Sequence, residues 1–273
     1  MMRVLSLGAG VQSSTLLLMA ASGDLEHVPD CAIFADTGWE PQRVYDWLNW
    51  LEGQVAGRIP IHRVSAGSIR EAVYTAKTSG ARYATLPLYV LGRNGQKGIQ
   101  RRQCTREFKI EPQVRKIREL LGLAKGQRGP AAPVLEQWFG ISMDEVVRVK
   151  DSRYRYIVHR YPLIDLGWTR GDCLAWWDRA GLPRPPKSAC IACPYRRNAE
   201  WQRMKEEDPA EFADAVAFDH AIREGQRGLH GQAFVHDSRL PLDEVDFTHG
   251  GWTGQETIFD AEFADECEGM CGV

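Results

Sequence analysis

The chain has 273 residues, of which 44% are hydrophobic and 26% charged, and its formal net charge is −2 at pH 7. These values are typical of a globular protein with one large domain. They exclude an overall positive charge that would attract nucleic acid, so any such contact needs a local basic patch. No run of roughly 18 apolar residues occurs, and the short apolar run before the first glycines predicts a buried strand and not a signal peptide. We therefore expect a cytoplasmic protein with no membrane contact.

Short apolar runs alternate with helical patterns through the first half of the chain. The runs predict strands at residues 3–7, 31–35, 59–64 and 138–142. Apolar residues at helical spacing predict helices at residues 13–21, 41–52 and 111–121. Ser13 or Ser14 is expected to cap the first helix, and Pro41 to begin the second. Such alternation is typical of a parallel sheet with helices on both faces.

The second half of the chain is predicted to be helical and then irregular. Before it, glycine-rich stretches predict a mobile loop at residues 92–103 and an exposed connector at residues 124–133. Thr169 is expected to cap a helix, with Asp172 near its N-terminus. Helical patterns cover residues 170–180, 200–205 and 210–223. After Gly225 the sequence is irregular and ends in an acidic tail that carries cysteines.

These patterns together predict an α/β fold. We expect a Rossmann-like open, mostly parallel sheet with helices on both faces, followed by a helical C-terminal region and a flexible cysteine-bearing tail. The nucleotide-binding domain is expected to span residues 1–200 and to include the paired cysteines. Residues 201–273 are expected to form a helical or irregular extension.

A glycine-rich loop joins the first predicted strand to the first helix. Glycines let the backbone approach an anion, which the free N–H groups and the dipole of a helix N-terminus attract. A glycine turn formed for steric reasons alone is the alternative. The residues expected to bind the nucleotide here are Ser6, Gly8, Ala9, Gly10, Gln12, Ser13 and Ser14.

The second predicted strand ends in an acidic residue. Asp36, Thr37 and Gly38 follow it at the carboxyl edge, where open α/β sheets bind ligands. An acid at this edge can meet ribose hydroxyls or a base edge, so these three residues are also candidates for nucleotide binding. The alternative is that Asp36 or Thr37 caps the next helix.

Ordered motifs extend this pattern over residues 3–200. They are GAGVQSS at 8–14, DTGWE at 36–40, CTREFKIEP at 104–112, GISMDE at 140–145, YPLI at 161–164 and CIAC at 190–193. The ordered set resembles the phosphoadenosine phosphosulfate (PAPS) reductase family, within the PP-loop, adenine nucleotide alpha-hydrolase-like superfamily. Members that cleave ATP usually carry an acid where this chain has Gln12. The resemblance therefore favours sulfonucleotide reductases, which bind adenylyl sulfate (APS) or PAPS without splitting pyrophosphate, while ATP stays an alternative ligand.

The cysteine pattern indicates a metal or redox site. Cys190 and Cys193 follow a proline-rich turn that can present two thiolates to one metal. The resemblance implies that they hold a 4Fe–4S cluster together with Cys104. The fourth iron position is then open or filled by another cysteine, for which Cys173 is a poor candidate because its neighbours predict a buried helix site. Structural zinc is the alternative, and a metal-free redox pair is disfavoured because nothing places it at the start of a thioredoxin-like helix.

Two further cysteines, Cys267 and Cys271, lie in the tail. The resemblance implies that one of them is the catalytic thiol, carried on a flexible segment that swings over the nucleotide and attacks the sulfate sulfur. The acidic neighbours would raise a thiol pKa, so this thiol would need cationic partners. A frayed terminus with incidental or zinc-binding cysteines is the alternative.

Basic residues surround Cys104. Guanidinium groups suit phosphate and sulfate and would offset the charge of a thiolate cluster. We expect Arg196 and Arg197 to contribute to the same field, and an ordinary solvated charged face is the alternative. The residues expected to bind the anion are Arg101, Arg102, Arg106 and Lys109.

Three functions follow from these candidates. The first is a sulfonucleotide-reductase-like enzyme, in which a tail cysteine forms a thiosulfonate that thioredoxin or glutaredoxin reduces. The second is an ATP-dependent, adenylating sulfur transferase that acts on a nucleobase or on nucleic acid, with tRNA or DNA as partner. The third is a non-catalytic nucleotide-binding metalloprotein. The three-cysteine pattern favours the second, whereas Gln12 and the weak net charge disfavour it.

Overall fold

The computed structural model describes residues 1–80, 86–224 and 231–248. Its strands, in chain order, are β1 (Met2–Leu7), β2 (Cys31–Asp36), β3 (Ile61–Ser65), β4 (Tyr89–Gly92), β5 (Lys97–Ile99), β6 (Leu135–Phe139), β7 (Ile157–Arg160) and β8 (Gly231–Phe234). Five of them form one parallel sheet in the order β3-β2-β1-β6-β7. The chain thus moves outward from β1 to β3 and then returns to the other side of β1. This order confirms the expected Rossmann-like α/β fold.

Helices cover both faces of this sheet. The α-helices are α1 (Val11–Ser22), α2 (Gln42–Val55), α3 (Ile69–Ser79), α4 (Glu111–Leu120), α5 (Pro162–Asp165), α6 (Arg170–Ala180), α7 (Asn198–Glu207) and α8 (Pro209–Ile222). Side chains of β1 alternate between the faces. Leu5 and Leu7 join a buried cluster with α1, α2 and α6, whereas Val4 packs with Ile117 of α4 on the other face.

The predicted helices α2 and α6 form with the expected faces and caps. The apolar positions of α2 are buried, and Pro41 precedes its first turn. Thr169 caps α6 in a capping box with Asp172, each side chain bonding the backbone N–H of the other. The described residues also form three helical segments of other types: a π-helix at Thr105–Ile110 and 3-10 helices at Met143–Arg148 and Leu242–Glu244.

Two sequence predictions of irregular structure are wrong. Residues 92–103, expected to be a mobile loop, contain β5, and the region after Gly225 contains β8. Together with β4 these strands form an antiparallel sheet in the order β5-β4-β8. The three residues of β5 are all exposed, so no apolar alternation marks them as a strand. The strand predicted at residues 138–142 also lies earlier, at Leu135–Phe139.

The C-terminal helices pack directly on the carboxyl edge of the main sheet. Trp201 and Phe218 are fully buried in a cluster that also contains Trp39 and Ile191. The rings of Trp39 and Phe218 lie 4.6 Å apart, and the Trp39 indole donates a hydrogen bond to Asp214. The division of the chain at residue 200 stays a prediction. Within the described part of the chain, no helix has the length and apolar character that a bilayer span requires.

Candidate functional site

The loop between β1 and α1 is shaped by its own hydrogen bonds. Ala9 has a φ of +58°, in the left-handed region that non-glycine residues rarely occupy. The Gly8 N–H donates to the Ser13 hydroxyl at 3.1 Å, and the Ser14 N–H donates to the Gly10 carbonyl at 3.0 Å. The N-cap of α1 is therefore Gly10, and the prediction that Ser13 or Ser14 caps this helix is wrong. The first turn keeps the orphan N–H groups of a helix N-terminus, which suit an anion.

The Gln12 side chain lies between a base and an acid. It is 2% exposed, its Oε1 accepts a hydrogen bond from Arg170 at 2.9 Å, and its Nε2 donates to Glu145 at 3.2 Å. Glu145 also pairs with Arg148. A carboxylate therefore stands beside the loop even though position 12 carries none. Sequence inspection missed Arg170, because nothing near it in the chain signals a contact with a loop 158 residues away.

Two of the predicted nucleotide-binding serines form hydrogen bonds with side chains on opposite faces of the sheet. Ser14 is fully buried, and its hydroxyl accepts a hydrogen bond from the Trp47 indole of α2 at 3.2 Å. Ser6 donates to Gln113 of α4 at 2.7 Å and accepts from Gln137 of β6 at 2.8 Å. The structure thus places Ser14 on the α2 side of the sheet and Ser6 on the α4 side.

The end of β6 approaches the loop too closely for any side chain. A Cβ on Gly140 would lie 2.6 Å from the Ser13 nitrogen and 2.9 Å from the Ser13 Cα. Both atoms belong to the backbone, so they cannot move without displacing the loop. Gly140 therefore sets the distance between β6 and the first turn of α1.

The end of β2 lies beside the same loop. Leu7 of β1 pairs with Phe34, so Asp36 stands two residues beyond the last position of β2 that pairs with β1, at the carboxyl edge of the sheet. Its Oδ1 accepts hydrogen bonds from the Gly38 N–H at 2.7 Å and from the Tyr45 hydroxyl at 2.8 Å. Burial, together with the hydrogen bond to Asp36, raises the pKa of Tyr45, so the phenol keeps its proton and stays a donor.

The two residues after Asp36 do not cap α2. The N-cap of that helix is Pro41, so the alternative role of Asp36 or Thr37 as its cap is wrong. Gly38 has a φ of +66°, and a Cβ there would lie 2.8 Å from the Ser68 Cα. This position accepts only glycine because both its conformation and its surroundings exclude a side chain.

The three predicted metal-binding cysteines come together at this edge. They line one small cavity of about 30 Å³ with Thr37, two of the predicted anion-binding residues and apolar side chains. The predicted residues in this lining are Thr37, Arg102, Cys104, Lys109, Cys190 and Cys193. Sequence positions more than 80 residues apart thus meet at one cavity, as the resemblance implied.

A buried polar cluster supports Cys190. Its sulfur lies 3.2 Å from the Thr37 hydroxyl and 3.8 Å from Oε1 of Glu40. The Lys109 ammonium lies 3.8 Å from the same carboxylate oxygen, and both side chains of this pair are buried. The other oxygen of Glu40 has no hydrogen-bond partner among the described residues. Sequence inspection named Lys109 but not Glu40, whose role depends on this distant contact.

Arg196 holds the loop that carries Cys190 and Cys193. It is 5% exposed, and its guanidinium donates to the carbonyls of Ala189, Cys190 and Ile191 at 2.8, 3.0 and 3.0 Å. These bonds direct the guanidinium to backbone carbonyls, and the contribution of Arg196 to an anion-binding field stays a prediction. The side chain turns inward because three carbonyls of a tight loop need donors.

Whether a metal can bind here depends on the type and arrangement of the side chains that would coordinate it. Within residues 1–80, 86–224 and 231–248, no group of three or more histidine, cysteine, aspartate or glutamate side chains is arranged to hold a metal ion. Three thiols around one cavity with two cations nonetheless fit the donor type of an iron–sulfur cluster, whose thiolates bind separate iron atoms. A 4Fe–4S cluster and zinc both stay predictions for Cys104, Cys190 and Cys193.

The remaining cysteines lie elsewhere. Cys31 and Cys173 are buried in the core on opposite faces of the sheet. Burial raises the pKa of Cys31 to about 11 and that of Cys173 to about 12, so both stay protonated thiols at neutral pH. The predicted catalytic residues Cys267 and Cys271 lie outside the described residues.

A basic groove begins at the cysteine cavity. A cavity of about 260 Å³, lined by Arg102, Thr105, Arg106, Ile110, Glu111, Arg153 and Tyr154, adjoins it through Arg102 and Thr105. A third cavity of about 80 Å³ continues past Ile110, Arg153 and Tyr154 to Gln113, Gln137 and His159. We call these two cavities the basic groove. Arg101 is exposed and lines neither of them.

Comparison with solved structures shows a similarity to a reductase of known structure. A crystal structure of phosphoadenylyl-sulfate (PAPS) reductase from Candida auris, a phosphate complex, is 14% identical, covers 67% of this chain and 74% of its own, and has a TM-score of 0.43. No protein-family model and no curated protein matches the chain. The Rossmann-like fold rests on the strand order itself, and a similarity at this level does not extend to activity.

Proposed function

We propose that this protein is a sulfonucleotide-reductase-like enzyme that binds an adenylyl nucleotide at residues 8–14 and performs sulfur chemistry at the cysteine cavity. The observation that supports it is the position of the two sites. Both lie at the carboxyl edge of the sheet, at the ends of the adjacent strands β1 and β2. The strand order reverses between β1 and β6, and ligands of open α/β sheets bind at such a switch point.

In this proposal, different residues bind the phosphate, the adenosine and the sulfate of the ligand. The first-turn N–H groups of α1 hold a phosphate, and Asp36 meets the adenosine near the end of β2. Arg102 and Lys109, at the cavity, attract the sulfonyl oxygens of APS or PAPS. Arg106 and Arg101 stand farther out and raise the local concentration of an anionic substrate.

The reaction that we propose uses a thiol of the tail, Cys267 or Cys271. Its thiolate attacks the sulfonyl sulfur, a sulfur–sulfur bond forms, and the bond from that sulfur to the phosphate oxygen breaks. The nucleotide leaves with the electron pair of that bond as AMP, or as its 3′-phosphorylated form. Thioredoxin or glutaredoxin then supplies two thiols, which become a disulfide and release sulfite and the free cysteine.

Cys104, Cys190 and Cys193 would hold the 4Fe–4S cluster, which when bound would supply positively polarised iron at this cavity. The chain supports these three ligands through its own contacts. Thr37 contacts the Cys190 sulfur, and Arg196 fixes the carbonyls of the loop that presents it. Lys109 offsets negative charge at the cavity and pairs with Glu40.

The test is anaerobic purification with iron, sulfide and zinc analysis, followed by incubation with APS and with PAPS plus a dithiol reductant. We expect sulfite release that is lost when Cys267 and Cys271 are both changed to serine. A variant with serine at Cys31, far from the site, is the matched control and should keep the activity. Zinc alone at the cysteines would overturn the cluster assignment, and nucleotide binding without sulfite release would overturn the reductase.

A second candidate is an ATP-dependent sulfur transferase, and the position of Glu145 favours it. Its carboxylate lies 3.2 Å from Gln12 and pairs with Arg148, so an acid stands beside the loop although position 12 carries none. Such an enzyme adenylates a carbonyl or phosphate oxygen of tRNA or DNA and releases pyrophosphate, and sulfide-level sulfur delivered at the cysteine cavity then displaces that oxygen as AMP. Pyrophosphate release that survives the change of Cys267 and Cys271 would select this candidate over the reductase.

A further inference from the structure

We propose that the basic groove binds single-stranded nucleic acid. This inference goes beyond the proposed function, because it concerns a surface that extends away from the nucleotide loop and shares only Arg102 and Thr105 with the cysteine cavity. It is independent of which reaction takes place at the cysteines. Four features of the groove carry it: its continuity, its charge, its aromatic ring, and the exposure of its cations.

The groove is one continuous surface made mainly by two segments that lie far apart in the chain, and Gln137 of β6 and His159 of β7 also line it. The first segment is residues 102–114, at the π-helix and the start of α4, and the second is residues 150–154, before β7. Both segments line both cavities through Ile110, Arg153 and Tyr154. From Cys104 to Val114 the helical path measures roughly 15 Å, which matches a few stacked nucleotides of one strand.

Positive charge is concentrated on this surface although the chain as a whole carries a charge of −2. The lining contains four cationic side chains and two carboxylates, Glu111 and Asp151. Glu111 is already paired with Arg106 at 3.0 Å. Among the cations, Lys150 and Arg153 are exposed and lie on the rim, where they can follow a chain of phosphates. The four cations are Arg102, Arg106, Lys150 and Arg153.

The floor and wall of the groove suit nucleobases. Tyr154 is half-buried and lines both cavities, so its ring offers a stacking surface between the phosphate-binding side chains. Gln113 and Gln137 also line the floor, but both are buried and bonded to Ser6, so the ring of Tyr154 is the group that a base would meet. An acidic peptide would use the cations but has no need for the tyrosine. Nucleic acid uses both kinds of group.

The openness of the groove favours a strand over a mononucleotide. A mononucleotide site encloses most of its ligand in a concave pocket. Here three of the four cations, Arg106, Lys150 and Arg153, are exposed, and one end of the groove meets the cysteine cavity through Arg102 and Thr105. One base of a bound strand would thus lie next to the cavity, while neighbouring nucleotides contact Lys150 and Arg153.

The experiment is fluorescence anisotropy with fluorescein-labelled, mixed-sequence 12-nucleotide DNA and RNA, titrated with the full-length chain without ATP. The variant K150E/R153E reverses both rim charges and should weaken binding at least about tenfold. The matched control is K125E/R128E, which makes the same two changes at the same spacing in the exposed connector. That control should bind within about twofold of the wild type. Because all four side chains are exposed, both variants should fold, which circular dichroism checks.

The dependence of the affinity on salt concentration and the effect of removing the Tyr154 ring give two further tests. Three or four phosphate contacts on a single strand predict a slope of log K against log salt of about −2 to −3. The variant Y154L should weaken binding at least about fivefold without changing that slope, because it removes stacking and no charge. Equal loss in K125E/R128E, or unchanged binding in K150E/R153E, would overturn the proposal. So would full competition by AMP at equal phosphate concentration, which would assign the groove to mononucleotides, or by polyglutamate, which would assign it to acidic peptides.

Discussion

The nucleotide loop and the cysteine cavity occupy the same edge of one sheet but satisfy their polar groups in different ways. At the loop, the described side chains bond one another: Gln12 joins Arg170 to Glu145, and Ser13 accepts from the Gly8 N–H. At the cavity, a buried carboxylate oxygen of Glu40 has no partner among the described residues, and three thiols surround a small space. The loop is therefore already organised, whereas the cavity presents groups that a ligand can use.

This difference predicts which kind of substitution each region tolerates without loss of stability. A loop held by close backbone contacts and by the hydrogen bonds of an uncharged side chain, Gln12, responds mainly to a change of shape. A cavity with a buried ion pair responds mainly to a change of charge, because an unpaired buried charge is costly. The predictions below test each half of this contrast, beginning with the change that should have the largest effect.

The buried pair of Glu40 and Lys109 should give the largest change in stability. Changing Glu40→Gln removes the carboxylate and leaves the Lys109 ammonium buried, which should lower the free energy of unfolding by about 3–5 kcal/mol. The double variant E40Q/K109M removes both charges and should recover part of that loss. Urea unfolding of the metal-free protein followed by tryptophan fluorescence measures both.

The matched control for this pair is the exposed pair of Arg106 and Glu111. Their side chains are 68% and 43% exposed, so water screens the attraction between them. Glu111→Gln should therefore cost less than about 1 kcal/mol. If E40Q costs no more than E111Q, the pair at the cavity is hydrated and the contrast between the two regions is wrong.

Substitution of Arg196 should give the next largest loss of stability, because its guanidinium bonds three carbonyls of the loop around Cys190. Arg196→Met keeps much of the apolar stem and removes the donors, which should lower the free energy of unfolding by about 3 kcal/mol. It should also lower the metal bound per chain, and Arg196→Lys should restore part of both. The neighbouring exposed residue gives the control, Arg197→Met, which should retain its metal content. Unchanged metal content in R196M would contradict the positioning role.

The sequence allowed some features of these regions to be predicted and left others undetected, for physical reasons. The parallel sheet and the helix that Thr169 caps follow from local patterns: buried apolar runs and a capping box with Asp172. The meeting of Cys104 with the CxxC pair could be expected only from the order of motifs. The contacts of Arg170 with Gln12 and of Glu40 with Lys109 had no local signal, because they join residues far apart in the chain. Exposed strands such as β5 were missed since exposure removes the apolar alternation.

A change of shape at the loop should have an intermediate effect. Gly140→Ala puts a methyl group against the Ser13 backbone, which should cost about 1–3 kcal/mol and weaken nucleotide binding by displacing the first turn of α1. The control is Gly53→Ala in α2, where a Cβ meets nothing within 4 Å. That change should leave binding unaltered and raise stability by up to about 1 kcal/mol. Calorimetric titration with APS and with ATP measures the binding, and wild-type affinity in G140A would show that the loop is not held by this contact.

A buried and a half-buried histidine compare the two regions through the pH dependence of stability, and we expect their effects to be the smallest. Burial lowers the pKa of His236, which packs on Phe247 in the cluster that also contacts Cys104 and Cys190, and that of His159, which packs on Phe139 at the end of β6. Both therefore stay neutral in the folded protein at a pH where the unfolded chain takes up protons. Since the unfolded state binds more protons below about pH 6.5, stability should fall as the pH drops, by at most about 1 kcal/mol per histidine down to pH 5.5. His236→Gln should flatten the dependence of the urea midpoint on pH more than His159→Gln, because His236 is 4% exposed whereas His159 is only half-buried. A midpoint in H236Q that falls with pH as steeply as in the wild type would assign the acid sensitivity to other groups and remove this distinction between the two regions.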